Sequence, residues 1–267
     1  MTTRQSLPLA ERSDADLPGH WLLARLGKRV LRPGGLQLTT RLLAAARVGG
    51  ADVVELGPGL GRTARDIVAL APRSYVGVDD TAPATEAVRA IVEPVAGTVV
   101  VADASETGLP TDSADVVIGE AMLTMQSDKA KRAIAAEAFR VLRPGGRYAI
   151  HELGLKPDTI PQETKDDIRK DLARSIKVNA RPLTAAEWAQ LLTEVGFTDV
   201  TIDYAPMALL NPARVLADEG LGGALRIVGN LIRRPAARRR VVGMRRTFHR
   251  YRRSLTAVAA VGVVPSQ

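Results

Sequence analysis

No cysteine occurs anywhere in the 267 residues. That absence excludes a disulfide framework, thiolate metal sites and a cysteine nucleophile, and it suits a reducing compartment. Histidine is limited to His20, His151 and His249, too dispersed to form a metal-binding motif, so no metal site is expected. No apolar run is long enough to span a bilayer; the longest near the C-terminus is Leu255 to Val264. The opening residues, MTTRQSLPLAERSDADLPGH, contain acidic residues and no apolar h-region, so they do not read as a signal peptide. A soluble, cytoplasmic protein is expected. Acidic residues stop at Glu219, and from Gly220 to Gln267 there are 11 arginines and no lysine. The net charge of +8 therefore belongs to the tail, because residues 1–219 carry 26 basic and 29 acidic side chains. A GC-rich genome accounts for part of an Arg-only run without any function.

What is present supports a folded core. Hydrophobic residues make up 46% of the chain, enough for one large domain or one domain with a cap. Residues 1–18 are polar and punctuated by proline, and read as a flexible arm. Leu22, Leu26 and Val30 fall at helical spacing within His20–Leu31, and Arg32-Pro33-Gly34-Gly35 should stop that helix. A second helix is expected from about Thr39 to Val48. Strands and helices then alternate. Strands are expected at 51–56, Ser74–Asp79, Gly97–Ala102, Ala114–Gly119 and Arg147–Glu152. Helices are expected near 61–70, from Pro83, and over Lys129–Leu142. Such alternation of β-branched runs with helices implies a parallel sheet covered on both faces. Farther on, a helix is expected over about Pro161–Val178. A capping box at Thr184-Ala185-Ala186-Glu187 opens another, and Phe197–Tyr204 alternates like a strand. Some fifty helix-like residues follow, in which Val241, Met244, Phe248, Tyr251 and Leu255 recur every three or four positions. Leu255–Val264 reads as a last strand.

The stretch ADVVELGPGLG at 51–61 is the most informative. A glycine-rich turn between strand and helix lets a ligand approach the backbone and offers the free N–H groups of a helix N-terminus. The spacing is G-x-G-x-G, not the G-x-G-x-x-G of dinucleotide folds, and this disfavours an NAD-dependent oxidoreductase. About 24 residues after Glu55, Asp79 closes the second strand, where a carboxylate can accept two hydrogen bonds from ribose hydroxyls. Asp79 could equally be a helix N-terminal carboxylate, a task Asp80 beside it would serve as well. Asp103 could be a simple turn former. Arg143-Pro144-Gly145-Gly146 is better read as a structural turn.

Together ELGPGLG at 55–61, GVDD at 77–80, ADA at 102–104, ADVVIGE at 114–120 and VLRPGG at 141–146 resemble the class I S-adenosylmethionine-dependent methyltransferases, in their small-molecule branch. The resemblance covers roughly residues 48–153. It implies a doubly wound, Rossmann-like α/β fold with seven mostly parallel strands in the order 3-2-1-4-5-7-6, the last antiparallel, and a helical cap. The cofactor implied is S-adenosylmethionine, with S-adenosylhomocysteine as product. Its amino-acid moiety would lie against Glu55 and the loop Gly57-Pro58-Gly59 and Gly61. Its ribose would lie at Asp79, with Asp80 beside it also counted to the cofactor site, its adenine at Asp103 and Ala104, and its sulfonium near Gly119 and Glu120. Candidate catalytic groups are Glu120, His151 and Glu152. Strand alternation forbids His151 and Glu152 from pointing the same way. Histidine is the better base near neutral pH, although His151 is as readily a structural histidine, and Glu152 could instead bind a substrate ammonium or a helix end. Arsenite methylation is disfavoured by the missing thiols.

On this reading residues 19–206 and 254–267 form the cofactor-binding domain, with N-terminal helices over 19–48. The Arg-rich segment 207–253 is then a helical insertion between strands six and seven, near the substrate mouth. It could be a solvated cap, or attract an anionic substrate or a membrane surface carrying a lipid-like acceptor. Nucleic-acid binding is the least favoured reading, because Phe248 and Tyr251 are the segment's only aromatics. The expected function is methyl transfer to O, N or C of a small, hydrophobic or anionic acceptor. The alternatives are methylation of RNA or another macromolecule through the basic cap, and a non-catalytic cofactor-binding regulator. A homodimer is left open.

Overall fold

Continuous Val- and Ile-rich strands need apolar cover on both faces. The computed structural model, which describes residues 9 and 11–266, shows where that cover comes from. Strands β1 (Asp52–Leu56), β2 (Ser74–Asp79), β3 (Thr98–Val101), β4 (Ala114–Glu120) and β5 (Leu142–Leu155) pair in parallel. β8 (Leu255–Val263) runs antiparallel to both β5 and β7 (Thr198–Pro206). The sheet order is β3-β2-β1-β4-β5-β8-β7, with the two-residue β6 (Leu183–Thr184) attached to β5. Without β6 this is the expected order 3-2-1-4-5-7-6.

The helices α2 (Gly35–Ala46), α3 (Arg62–Ala69) and α4 (Ala82–Val92) cover one face, where Leu38, Leu42, Ile67 and Val88 meet Val53 and Val116. On the other face, α5 (Asp128–Val141) and α7 (Ala185–Val195) bring Ile134, Trp188 and Leu192 against Val54, Val117 and Tyr148. Each large apolar side chain so buried contributes roughly 1.5–3 kcal/mol. The strand ends are therefore held by a rigid core. The capping box of α7 is made: Thr184 Oγ1 accepts from Glu187 N at 3.2 Å, and Glu187 Oε2 accepts from Thr184 N at 2.8 Å.

Three local expectations need correction. The first helix, α1 (Gly19–Arg25), is shorter than His20–Leu31, because Gly27 takes φ 99° and turns the chain out of the helix. Strand β5 begins at Leu142, not Arg147. Ala114 pairs with Leu142 and Val116 with Arg147, so Arg143–Gly146 bulges out of a ladder that continues on both sides. Leu255 does not extend the helical stripe of Met244 and Phe248 but starts β8.

Helices α6 (Gln162–Ile176), α8 (Pro212–Arg233) and α9 (Pro235–Arg250) complete the chain. Leu22, Leu23 and Leu26 pack with Ala237 and Met244 of α9, and Ile168 and Leu172 of α6 pack on Leu153 and Leu255. These contacts roof the carboxyl ends of β4 and β5 and the amino end of the antiparallel β8. Of the stretch expected to be a flexible arm, residues 1–8 and 10 lie outside the described residues. Residues 12–17 are tied down: Arg25 bonds Arg12 O and Asp14, Arg240 bonds Asp14 O and Leu17 O, and Leu17 is buried.

Candidate active site

The direction of sheet growth reverses between β1 and β4, the place where ligands enter open α/β sheets. A cavity of about 510 Å³ lies there. Its floor begins at the glycine loop. Gly57, Gly59 and Gly61 all take positive φ, at 63°, 53° and 71°, a conformation that favours glycine strongly. Gly57 N donates to Val78 O at 2.8 Å, and Gly59 N donates to Asp79 Oδ2 at 3.1 Å. Loop and second strand are therefore fixed to each other. The other oxygen of Asp79 accepts from Thr81 N at 3.0 Å and Thr81 Oγ1 at 2.7 Å. Asp103 Oδ1 closes a tight turn on Ser105 N and Oγ at 2.7 and 2.6 Å, which hold its carboxyl below the usual range. Asp80 is pushed the other way, by burial and then by Asp79 and Asp103.

Two buried glutamates on neighbouring strands are treated in opposite ways. Glu55 is 3% exposed, and its one hydrogen-bond partner among the described residues is Tyr75 Oη, at 2.6 Å. Burial pushes its carboxyl up to about 8, more than the Tyr75 bond can offset. The side chain of Glu120 is 5% exposed but richly supplied. Arg32 Nη1 donates to Oε2 at 2.6 Å, Thr63 Oγ1 donates to the same oxygen, and Thr39 Oγ1 donates to Oε1 at 2.5 Å. Burial opposes ionisation here too, yet Arg32, followed by His151 and Thr39, holds Glu120 at about 2.

His151 is a member of that network. Its Nε2 accepts from Gly34 N at 3.1 Å, so the ring proton sits on Nδ1 and is donated to Glu120 Oε1 at 2.8 Å. Glu152 points to the opposite face, as alternation requires. It accepts from Met122 N, Leu123 N and Thr124 N at 3.0, 2.8 and 3.0 Å, and from Thr124 Oγ1 at 2.7 Å. It thus fixes the turn that follows β4, although burial still raises its carboxyl above the ordinary value. Between these groups Ala121 holds φ 55°, a strained value for a residue with a Cβ, and donates to His151 O at 2.8 Å.

The structure brings Glu55, Gly57, Pro58 and Gly59 to the cavity wall together with Asp79, Asp80, Asp103 and Ala104, and adds Glu120 and Glu152. Gly61, Gly119 and His151 stand behind that wall. A Cβ on Gly61 would run into Ile91, and one on Gly119 would lie 3.3 Å from Met122 Sδ. Among the described residues no three His, Asp or Glu side chains converge as a metal ion requires.

Sequence reasoning missed Arg32, Thr39 and Thr63, which reach Glu120 across 88, 81 and 57 residues. It also missed His20, a cavity-lining ring with no hydrogen bond to another described residue, which burial pushes down to about 4. Its place on the helix carrying Leu22 and Leu23 was a usable signal. No local signal marked the other three.

A methyltransferase-domain family model matches residues 53–146. Over 156 residues the chain is 32% identical to a probable S-adenosylmethionine-dependent methyltransferase of Mycolicibacterium smegmatis, covering 57% of this chain and 54% of that protein. This chain belongs to the class I S-adenosylmethionine-dependent methyltransferases. Its cofactor is S-adenosylmethionine. A longer match, 34% identity over 223 residues, is to an uncharacterized protein of Haemophilus influenzae, covering 82% of the methyltransferase and 87% of that protein. Among solved structures, Haemonchus contortus phosphoethanolamine N-methyltransferase 2, in complex with phosphomonomethylethanolamine and S-adenosylhomocysteine, superposes with a TM-score of 0.68 at 17% identity. That match covers 97% of this methyltransferase and 59% of the worm chain, less than two thirds of it, and at such identity it establishes the fold alone.

Proposed function

We propose that this methyltransferase acts on a small, largely apolar acceptor seated under the roof formed by α1, α6 and α9. The observation that carries the reading is the make-up of that part of the wall. Trp21, Leu31, Ile176, Leu209, Met244 and Phe248 line it, whereas the carboxylates gather at the ends of β1 to β5. An apolar wall with few polar groups binds by area and orients by its exceptions. His20 and Gln126 are such exceptions.

The residues at the strand ends fit the cofactor. The left-handed glycine loop leaves backbone exposed to an amino-acid moiety, with Glu55 beside it. Asp79 and Asp80 suit the ribose hydroxyls, and Asp103 with Ala104 the adenine edge. When bound, S-adenosylmethionine supplies an electrophilic methyl group. The protein's contribution is then alignment of the acceptor for in-line displacement, which by itself is worth several kcal/mol of barrier. Glu120 and Glu152 shape the end of β4, and His151 serves Glu120 from behind the wall. Where the acceptor must lose a proton, His20 is the better placed ring to receive it, being uncharged at neutral pH.

The test is formation of S-adenosylhomocysteine across a panel of apolar alcohols, phenols and amines, beside an RNA substrate. Turnover of a small apolar acceptor that is insensitive to salt supports the reading; turnover of RNA alone, falling steeply with salt, overturns it. Leu209→Asp should raise the acceptor KM about tenfold or more and leave cofactor affinity unchanged.

A further inference from the structure

The α8–α9 hairpin carries two exposed faces that the proposed reaction does not use. On α8, Leu221, Leu225, Val228 and Ile232 are 69%, 63%, 52% and 66% exposed. Their spacing of four, three and four residues places them on one stripe. The other side of the helix is the packed one: Ile227 is buried, and Asn230 Nδ2 donates to Leu26 O at 3.0 Å. On α9 the exposed positions are Pro235, Arg238, Arg239, Val242, Arg245, Arg246, His249 and Arg250, again one face. Arg234 and Arg250 have carboxylate partners in Asp14 and Asp171. Arg226, Arg233, Arg238, Arg239, Arg245, Arg246 and Arg253 form no ion pair among the described residues, and the chain has no acidic residue beyond Glu219.

We propose that this hairpin docks the protein on an anionic lipid bilayer, the aliphatic stripe of α8 entering the headgroup–acyl boundary and the arginines meeting lipid phosphates. The combination selects this occupant. A second copy docked about a two-fold axis would bring unpaired arginines against unpaired arginines. Single-stranded RNA would match the charge but would find aliphatic side chains where stacking rings are needed. No helix of the described residues is long and apolar enough to cross a membrane, so the contact is an in-plane one. The inner face of α9 gives Met244 and Phe248 to the cavity wall, so docking sets the cavity close to the lipid. Delivery of an amphiphilic acceptor from the bilayer rests on the apolar-acceptor reading; the docking surface itself does not.

Co-sedimentation of the full chain with vesicles tests it. The protein should pellet with phosphatidylcholine vesicles containing about one third phosphatidylglycerol and stay soluble with phosphatidylcholine alone. Leu225→Ser with Ile232→Ser should abolish pelleting. Replacing Arg238, Arg239, Arg245 and Arg246 by Gln should lower the partition coefficient by on the order of a thousandfold. All six positions are exposed, so S-adenosylhomocysteine affinity, measured by calorimetry, should be unchanged in both variants and certifies that they fold. Wild-type protein that stays soluble with the anionic vesicles overturns the proposal. So does a dimer that the serine variant dissociates without any vesicle binding, and so does RNA binding that the serine variant retains while vesicle binding is absent. A negative vesicle result with intact cofactor binding removes the docking surface and leaves the methyltransferase reading standing.

Discussion

A buried carboxylate can be held neutral or held charged, and Glu55 and Glu120 take opposite sides. Glu55 has one neutral donor and is pushed up from 4.5 to about 8. Its neutral form is the one that folding favours. That contribution is full below the unfolded value and is lost as pH rises through about 8. Near neutral pH the arrival of the cofactor's ammonium should ionise it, releasing close to one proton. Calorimetric titration of S-adenosylhomocysteine in buffers of different ionisation enthalpy should show that proton, and Glu55→Gln should not; a buffer-independent enthalpy in the wild type contradicts this. Glu120 behaves in the reverse sense, its carboxyl depressed from 4.5 to about 2. The stability it contributes is present above the unfolded value and is lost as pH falls from 4.5 towards 2. Urea midpoints should therefore fall less steeply between about pH 5 and pH 3 in Glu120→Gln than in the wild type. Equal slopes would show that the ionised state of Glu120 is not what the network stabilises.

At the scale of elements, the α8–α9 hairpin holds the site together as well as covering it. Helix α8 is broken at Gly220, with φ 71° and ψ 174°. Just before the break, Glu219 Oε1 accepts from Arg29 N and Val30 N at 2.9 Å each and faces Lys28 Nζ at 3.4 Å. The segment so clamped leads directly to Arg32, the partner of Glu120. Lys28 and Glu219 are each 2% exposed, and breaking such a pair leaves an uncompensated buried charge. Glu219→Ala should cost about 3–5 kcal/mol in urea unfolding; a loss near zero would mean the clamp is dispensable. None of this could be read from sequence, because Glu219 and the segment it holds are 190 residues apart. What was legible were features a short window contains: Val-rich strands, the glycine loop, the Thr184 capping box and the alternation that separates His151 from Glu152. The early end of α1 was not legible, since an isolated glycine in a periodic run is often tolerated. Here a Cβ on Gly27 would stand 3.2 Å from Arg226 of α8. Distant partners, not local propensity, set the remainder of the site.

At the scale of the whole molecule, charge and chemistry are segregated. Carboxylates gather where the parallel strands end, the apolar roof stands over them, and the unpaired arginines lie on the outer faces of the hairpin and beyond it. The central claim is that the glycine loop and Asp79 form the cofactor site, and one titration tests it most directly. S-adenosylhomocysteine titrated by calorimetry into the wild type should bind at one site per chain. Asp79→Ala should weaken binding by about a hundredfold or more, since two hydrogen bonds to a charged group, roughly 1.5–3 kcal/mol each, are lost. No binding by the wild type, or unchanged affinity in the variant, would contradict the account.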